Sequence, residues 1–391
     1  MLSETEPNSR PILIVMPVSE QRGGAELALM QLFGAQTPYR WQVAFLRDGP
    51  MVDQVRRLGV EACVIEAGRV RQPHRGISCV LGLARLARRI EAQAMLGWMA
   101  KAHVYSGSAA RLAGIEAMWF QHGLPRFANP IDHLANWIPA AGVLACSQFS
   151  AETQHRATPR MRIEVVHPAV DLGRFDPDSL PSPRECRRAL GLAAEGPVVG
   201  IFGRLQHWKG MHVLLDALPG VFEKYPGAAA AIVGGPWHLE ADYESRLKRQ
   251  AEELKISDRV IFAGHQQNVA QWMQACDVVV HASDHEPFGI VVVEAMALGK
   301  GVVAGDSGGP REIVTHGVDG LLVPFGRPGL MTAAILRYLD DPAAAQKIGL
   351  AARRRAQDFS LERFAERACQ AISALMPRAQ SAQTAACIHA N

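Results

Sequence analysis

The chain carries little surplus of either charge. Its 41 Lys and Arg stand against 38 Asp and Glu, and a net of +3 leaves nothing for non-specific nucleic-acid binding. No nucleic acid is expected as a partner, and any basic site must be local. Long apolar runs are missing too: Val278 to Val280 and Gly289 to Val293 fall well short of the about 20 residues that cross a hydrocarbon layer. The polar, acidic stretch Met1 to Arg10 lacks the charged head and apolar segment of a secretory signal, so the expectation is a cytoplasmic chain. The seven cysteines include no C-x-x-C pair, and Cys63, Cys146 and Cys276 lie in apolar runs, as reduced packing residues do. The 14 histidines show no H-E-x-x-H or other ligand spacing, so no metal is expected. No G-x-G-x-x-G follows an expected strand, which argues against a nicotinamide-dependent dehydrogenase, and no repeat of solenoid length occurs.

What is present is a large, mixed composition. At 48% hydrophobic and 20% charged, the 391 residues suit two to three folded domains of about 150 residues each. Short apolar runs alternate with helical patterns throughout. In the first half the expected strands are Ile12 to Met16, Val43 to Leu46, Cys63 to Ile65, Ala94 to Trp98, Ala117 to Phe120 and Val143 to Cys146. The pattern breaks at His167 to Pro183, HPAVDLGRFDPDSLPSP, where prolines and aspartates leave no periodicity. It restarts with Val198 to Phe202, Ala229 to Val233, Val260 to Phe262, Val278 to Val280, Val302 to Ala304 and Leu321 to Val323. Such alternation implies parallel strands covered by helices on both faces. The expected fold class is α/β, two doubly wound Rossmann-like domains with a ligand cleft between them. The expected boundaries are 1–170, a linker at 171–185, a second domain at 186–360, a helix at 361–378 and a frayed tail at 379–391.

Three segments carry candidate chemistry. Gly23 and Gly24, with Ala25 and Glu26, open a helix directly after the first strand, where bare amides suit a phosphate; an ordinary tight turn is the plainer account. Gly203-Arg204-Leu205-Gln206-His207-Trp208-Lys209-Gly210 places two cations on a Gly-bounded loop after the first strand of the second domain, suited to a diphosphate or else simply solvated. Glu286-Pro287-Phe288-Gly289-Ile290-Val291-Val292-Val293-Glu294 sets two carboxylates eight positions apart around a helix start. Glu294 then lies about 7 Å along the axis from that start. The two would address different ends of one ligand, with the Phe288, Gly289 and Ile290 amides able to take an anion between them. His122, after a strand and before Gly123, suits a cleft, or it satisfies a nearby carbonyl. Asp176-Pro177-Asp178 has the D-x-D spacing of some metal sites, but its Pro-rich setting favours a turn. Arg69 to Arg89 hold six arginines and no acid, a face that could rest on anionic lipid or stand solvated.

Taken together these segments resemble the retaining GT-B glycosyltransferases of family four. GRLQHWKG looks like that family's Arg-and-Lys loop and EPFGIVVVE like its E-x7-E motif. Asp306 to Glu312 and Gly317 to Val323 resemble the segments that follow, while GGAE and Phe120-Gln121-His122-Gly123 resemble its first-domain motifs. The resemblance implies sugar transfer from a UDP- or GDP-sugar to a glycan, lipid or small-molecule acceptor bound by the first domain, with no cofactor and no metal. It also implies that Arg204 and Lys209 bind the diphosphate, with Gly23, Gly24, Phe288, Gly289 and Ile290 completing the cradle. Glu286 would take donor-sugar hydroxyls, Glu294 the ribose hydroxyls, and His122 the sugar near its reacting side. Catalytic roles therefore fall to His122, Arg204, Lys209 and Glu286. The implied setting is bacterial polysaccharide or glycolipid synthesis, at the inner face of the cell membrane if the arginine face meets lipid. A regulatory nucleotide-sugar-binding subunit and a GT-B-shaped epimerase are the competing readings.

Overall fold

The computed structural model describes residues 10–20, 23–68, 72–125, 129–192 and 195–376. They divide into two units. The first holds the described residues up to His167 together with those from Phe364 onward; the second is Pro168–Arg363.

The first unit is built on seven strands: β1 (Ile12–Met16), β2 (Trp41–Phe45), β3 (Glu61–Val64), β4 (Ala94–Trp98), β5 (Glu116–Gln121), β6 (Gly142–Ala145) and β7 (Ile163–Val165). They pair in parallel in the order β3-β2-β1-β4-β5-β6-β7. Ile12 lies between Trp41 and Ala94, and all five residues of β1 are buried, as an apolar run covered on both faces must be. Leu13, Val15 and Met95 form the core with Leu83 and Ala109 from the covering helices.

The second unit repeats the plan with six strands: β8 (Val198–Phe202), β9 (Ala229–Val233), β10 (Val260–Gly264), β11 (Val278–His281), β12 (Gly301–Gly305) and β13 (Leu321–Val323). Their order is β10-β9-β8-β11-β12-β13. In both sheets the winding reverses beside the first strand, at β1/β4 and at β8/β11. In doubly wound sheets, ligands bind outside the strand carboxyl ends at that reversal.

The helix Leu361–Leu375 buries Phe364, Ala365, Ala368, Ala371, Ile372 and Leu375, one stripe at helical spacing. From Phe364 onward it belongs to the first unit. Phe364 lies 6.4 Å from the Phe120 ring, and Leu375 fills the space where a Cβ on Gly142 would stand.

The structure differs from the sequence expectations at several places. Strand β7 went unread, because Ile-Glu-Val is three half-buried residues at a sheet edge with an acid in the middle. Residues 171–185 are folded onto the second unit rather than strung as a linker. Asp171 accepts hydrogen bonds from the Gly173 and Arg174 amides, and a Ser182/Glu185 capping box starts the helix Pro183–Ala189. Asp176 and Asp178 each take the Arg353 guanidinium at 2.7 Å, so the D-x-D pair is an arginine clamp within a turn. Of the basic stretch, Arg69 and Arg71 lie outside the described residues, as does the expected tail. No described helix is long and apolar enough to cross a membrane.

Candidate active site

In the second unit the loops after β8 and β11 close on each other. Gly210 makes this possible: its φ is +75°, and a Cβ there would stand 2.1 Å from the Ala282 carbonyl oxygen. The Asp284 amide donates to the Trp208 carbonyl at 2.9 Å, zipping the loops further. Lys209, in the short turn His207–Lys209, thereby reaches Glu286, 77 positions on, with Nζ 2.5 Å from Oε2. Glu286 is 7% exposed. Burial alone would raise its carboxyl, but the Lys209 ammonium and the His281 hydrogen bond outweigh burial and hold it well below the usual range.

Behind this pair, the Gly309 amide donates to the Glu286 carbonyl at 2.9 Å. A Cβ on Gly309 would lie 2.3 Å from the Phe288 backbone, so the Asp306–Glu312 segment can lie this close only with glycine there. The Phe288 ring turns inward, 5.6 Å from Phe359, and is packing rather than lining. Gly289, at φ +100°, then starts the helix Ile290–Ala297.

Glu294 on this helix is partly buried, and desolvation pushes its carboxyl up to about 7, with the Arg174 charge pulling the other way. The two carboxylates of one motif are thus set apart. Glu286 is an anion throughout the neutral range, and Glu294 is poised between its two forms.

The Arg204 guanidinium lies over the Trp237 ring at 4.5 Å. Trp208 stacks on His285 at 5.8 Å and carries the Lys209 ammonium 4.2 Å above its ring. His207 stacks on His212 at 4.3 Å.

The first unit presents its own pair of loops at the β1/β4 reversal. Gly23 caps the helix Gly24–Gly34. A Cβ on Gly24 would meet nothing within 4 Å, so packing does not demand glycine there, and the helix start is open to an approaching group. Trp98, ending β4, donates its indole N–H to the Ala25 carbonyl at 2.8 Å and lies 4.8 Å from the His122 ring. His122 also stacks on Phe120 at 4.0 Å. Burial pushes its imidazole down to about 3, so it is neutral. Its Nε2 is buried with no partner among the described residues, so this nitrogen does not satisfy a neighbouring carbonyl.

Sequence reasoning missed His281, Ser283, Trp98 and Trp237. The available signal was position: Trp98 and His281 end the strands that flank the reversals. Among the described residues no cluster of three His, Cys, Asp or Glu side chains is placed to hold a metal ion.

Two doubly wound parallel sheets, each with its chemistry-bearing loops at the reversal of winding, define the GT-B class of fold. The glycosyl transferases group 1 family matches residues 183–355 of the chain. HepE of Anabaena, solved in complex with UDP-glucose, is 30% identical with a TM-score of 0.81 over 93% of this chain and 99% of that one. D-inositol 3-phosphate glycosyltransferase of Jonesia denitrificans is 36% identical over 219 residues, 54% of this chain and 51% of that protein. The lipopolysaccharide core biosynthesis mannosyltransferase LpsB of Rhizobium meliloti is 32% identical over 217 residues, 54% of this chain and 61% of that protein. The chain spans about half the length of the curated relatives it matches. It belongs to the glycosyl transferases group 1 family.

Proposed function

We propose that the protein transfers a hexosyl group, with retention of anomeric configuration, from a nucleotide diphospho-sugar to a glycan or lipid-linked acceptor, without a metal ion. The observation that carries this reading is the buried Lys209–Glu286 pair, held on the two loops that flank the β8/β11 reversal and beside a helix start. Lys209 and Arg204 are the positive charges available to a departing diphosphate; one such charge about 4 Å from a phosphate oxygen is worth about 4 kcal/mol at an effective dielectric near 20. Glu286 accepts hydrogen bonds from donor-sugar hydroxyls, and Glu294 takes the ribose hydroxyls. His122, neutral and with an unpartnered Nε2, contacts the transferred sugar. The acceptor oxygen attacks the face the nucleotide leaves, and a phosphate oxygen of the leaving group takes the proton. UDP-glucose is the first donor to test, because HepE, similar over nearly its whole length, was solved with it.

The acceptor and the setting remain part of the same proposal: a polysaccharide or glycolipid precursor at the cytoplasmic membrane face. The helix Pro73–Arg89 supports it by exposing Ile77 (62%) and Leu81 (41%) alongside Arg85.

The experiment is nucleotide release from UDP-glucose and GDP-mannose, with product anomer and epimer read by NMR. Lys209→Ala should cut turnover about 100-fold or more. Near-normal turnover would reject the assignment, and conversion of the donor sugar without any acceptor would favour an epimerase.

A further inference from the structure

Among the described residues the Glu286 carboxylate is tied through one of its two oxygens. Oε2 accepts from Lys209 Nζ at 2.5 Å, His281 Nε2 at 2.9 Å and Ser283 Oγ at 3.1 Å, and every side-chain hydrogen bond to the carboxylate among the described residues falls on that atom. Three ties to Oε2 fix the carboxylate plane and leave Oε1 as its remaining acceptor. His281 and Ser283 are themselves 4% and 1% exposed, so neither is a surface group caught in passing.

The proposed reaction makes two demands on Lys209: it pairs with Glu286, and it must turn charge toward a diphosphate. A buried carboxylate that loses its cation without replacement donors is costly. His281 supplies one such donor from the last residue of β11, and Ser283 another from the loop that follows. A carboxylate at 2.9 Å requires an imidazole proton on Nε2, so His281 donates to Oε2.

We propose that His281, assisted by Ser283, is a positioning residue that holds Glu286 with Oε1 toward the transferred sugar while Lys209 engages the diphosphate. This rests on the function proposed above. It predicts a split that a merely structural role does not produce: loss of His281 weakens handling of the sugar and spares the nucleotide.

The test uses the full chain with His281→Leu, His281→Gln, Ser283→Ala and Glu286→Gln, and whichever of the pairs UDP/UDP-glucose or GDP/GDP-mannose the unaltered protein binds. Titration calorimetry gives both dissociation constants, and initial rates give kcat and KM. His281→Leu should lower kcat/KM for the nucleotide sugar about 10- to 100-fold, the span of one hydrogen bond to a charged group, with nucleoside diphosphate affinity within about twofold of normal. His281→Gln, which keeps a distal N–H, should recover part of the loss, and Ser283→Ala should lose less than His281→Leu. Unchanged kcat/KM in His281→Leu overturns the proposal. So does an equal fall in nucleotide and nucleotide-sugar affinity without rescue by Gln, which marks a folding defect. A Glu286→Gln variant of normal activity, or binding of neither pair by the unaltered protein, instead overturns the functional reading beneath it.

Discussion

Lys209→Met is the perturbation that tests the site's electrostatics most directly. It keeps most of the side chain's apolar volume and removes the charge 2.5 Å from Glu286 Oε2. The side chains of the pair are 16% and 9% exposed, so solvent screening is weak. Breaking such a pair by removing one partner typically costs about 3–5 kcal/mol, because the remaining charge is stranded. Here His281 and Ser283 still donate to the carboxylate, so the expected cost is nearer about 2–3 kcal/mol, a fall of about 5–10 °C in the melting midpoint. The double variant Lys209→Met with Glu286→Gln should regain about half of that stability while staying inactive.

The pH dependence has a definite sign. Glu286 is held below its ordinary value of 4.5, so its contribution is fully present above pH 4.5 and fades as pH falls toward its lower folded value. The stability gap between the unaltered protein and Lys209→Met should therefore be flat from pH 7 to 5 and narrow below about 4. Thermal unfolding followed by circular dichroism across this range reads it. A Lys209→Met variant as stable as the parent at pH 7, or a gap that widens in acid, refutes the reasoning.

Glu294 titrates with the opposite sign: its raised value of about 7 means the folded state holds a proton that the unfolded chain gives up near 4.5, so stability should decline as pH rises between those values. Glu294→Gln should remove that decline, and a melting curve for the parent that does not fall relative to the variant from pH 5 to 8 contradicts it. Gly309→Ala drives a methyl to 2.3 Å from the Phe288 backbone and should cost about 1–3 kcal/mol of stability along with much of the turnover, as read by urea unfolding and nucleotide release. Asp176→Asn combined with Asp178→Asn loosens the Arg353 clamp and should cost about 1 kcal/mol or less, since these groups are a third or more exposed. Turnover of the parent should be unchanged by EDTA, and a loss restored by magnesium or manganese would show that a metal takes part.

Much of the fold was legible because burial leaves its mark on local order. Ile12 to Met16 or Val198 to Phe202 can be apolar without a break only where helices cover both faces, and the structure places both among its fully buried strands. Strands with polar residues were read short: β5 runs on to Glu116 and Gln121, and β7 was lost to its central Glu164. Lys209 and Glu286 could be singled out from their loops, but a pairing across 77 positions leaves no trace in either segment.

Chain order alone settled which loops follow strand ends, and therefore that Gly23-Gly24, Arg204 to Lys209, His122 and Glu286 stand at the rims of parallel sheets. That follows from a period of apolar residues, which reports which faces are covered. Tertiary structure alone decided which strand ends become neighbours within each sheet, at the β1/β4 reversal in one and the β8/β11 reversal in the other, as well as the meeting of His281, Ser283 and Lys209 on a single oxygen and the opposite shifts of Glu286 and Glu294. Strand order is set by crossovers whose partners lie tens of residues apart, and a carboxyl's affinity for its proton depends on what is packed around it, which no local pattern encodes.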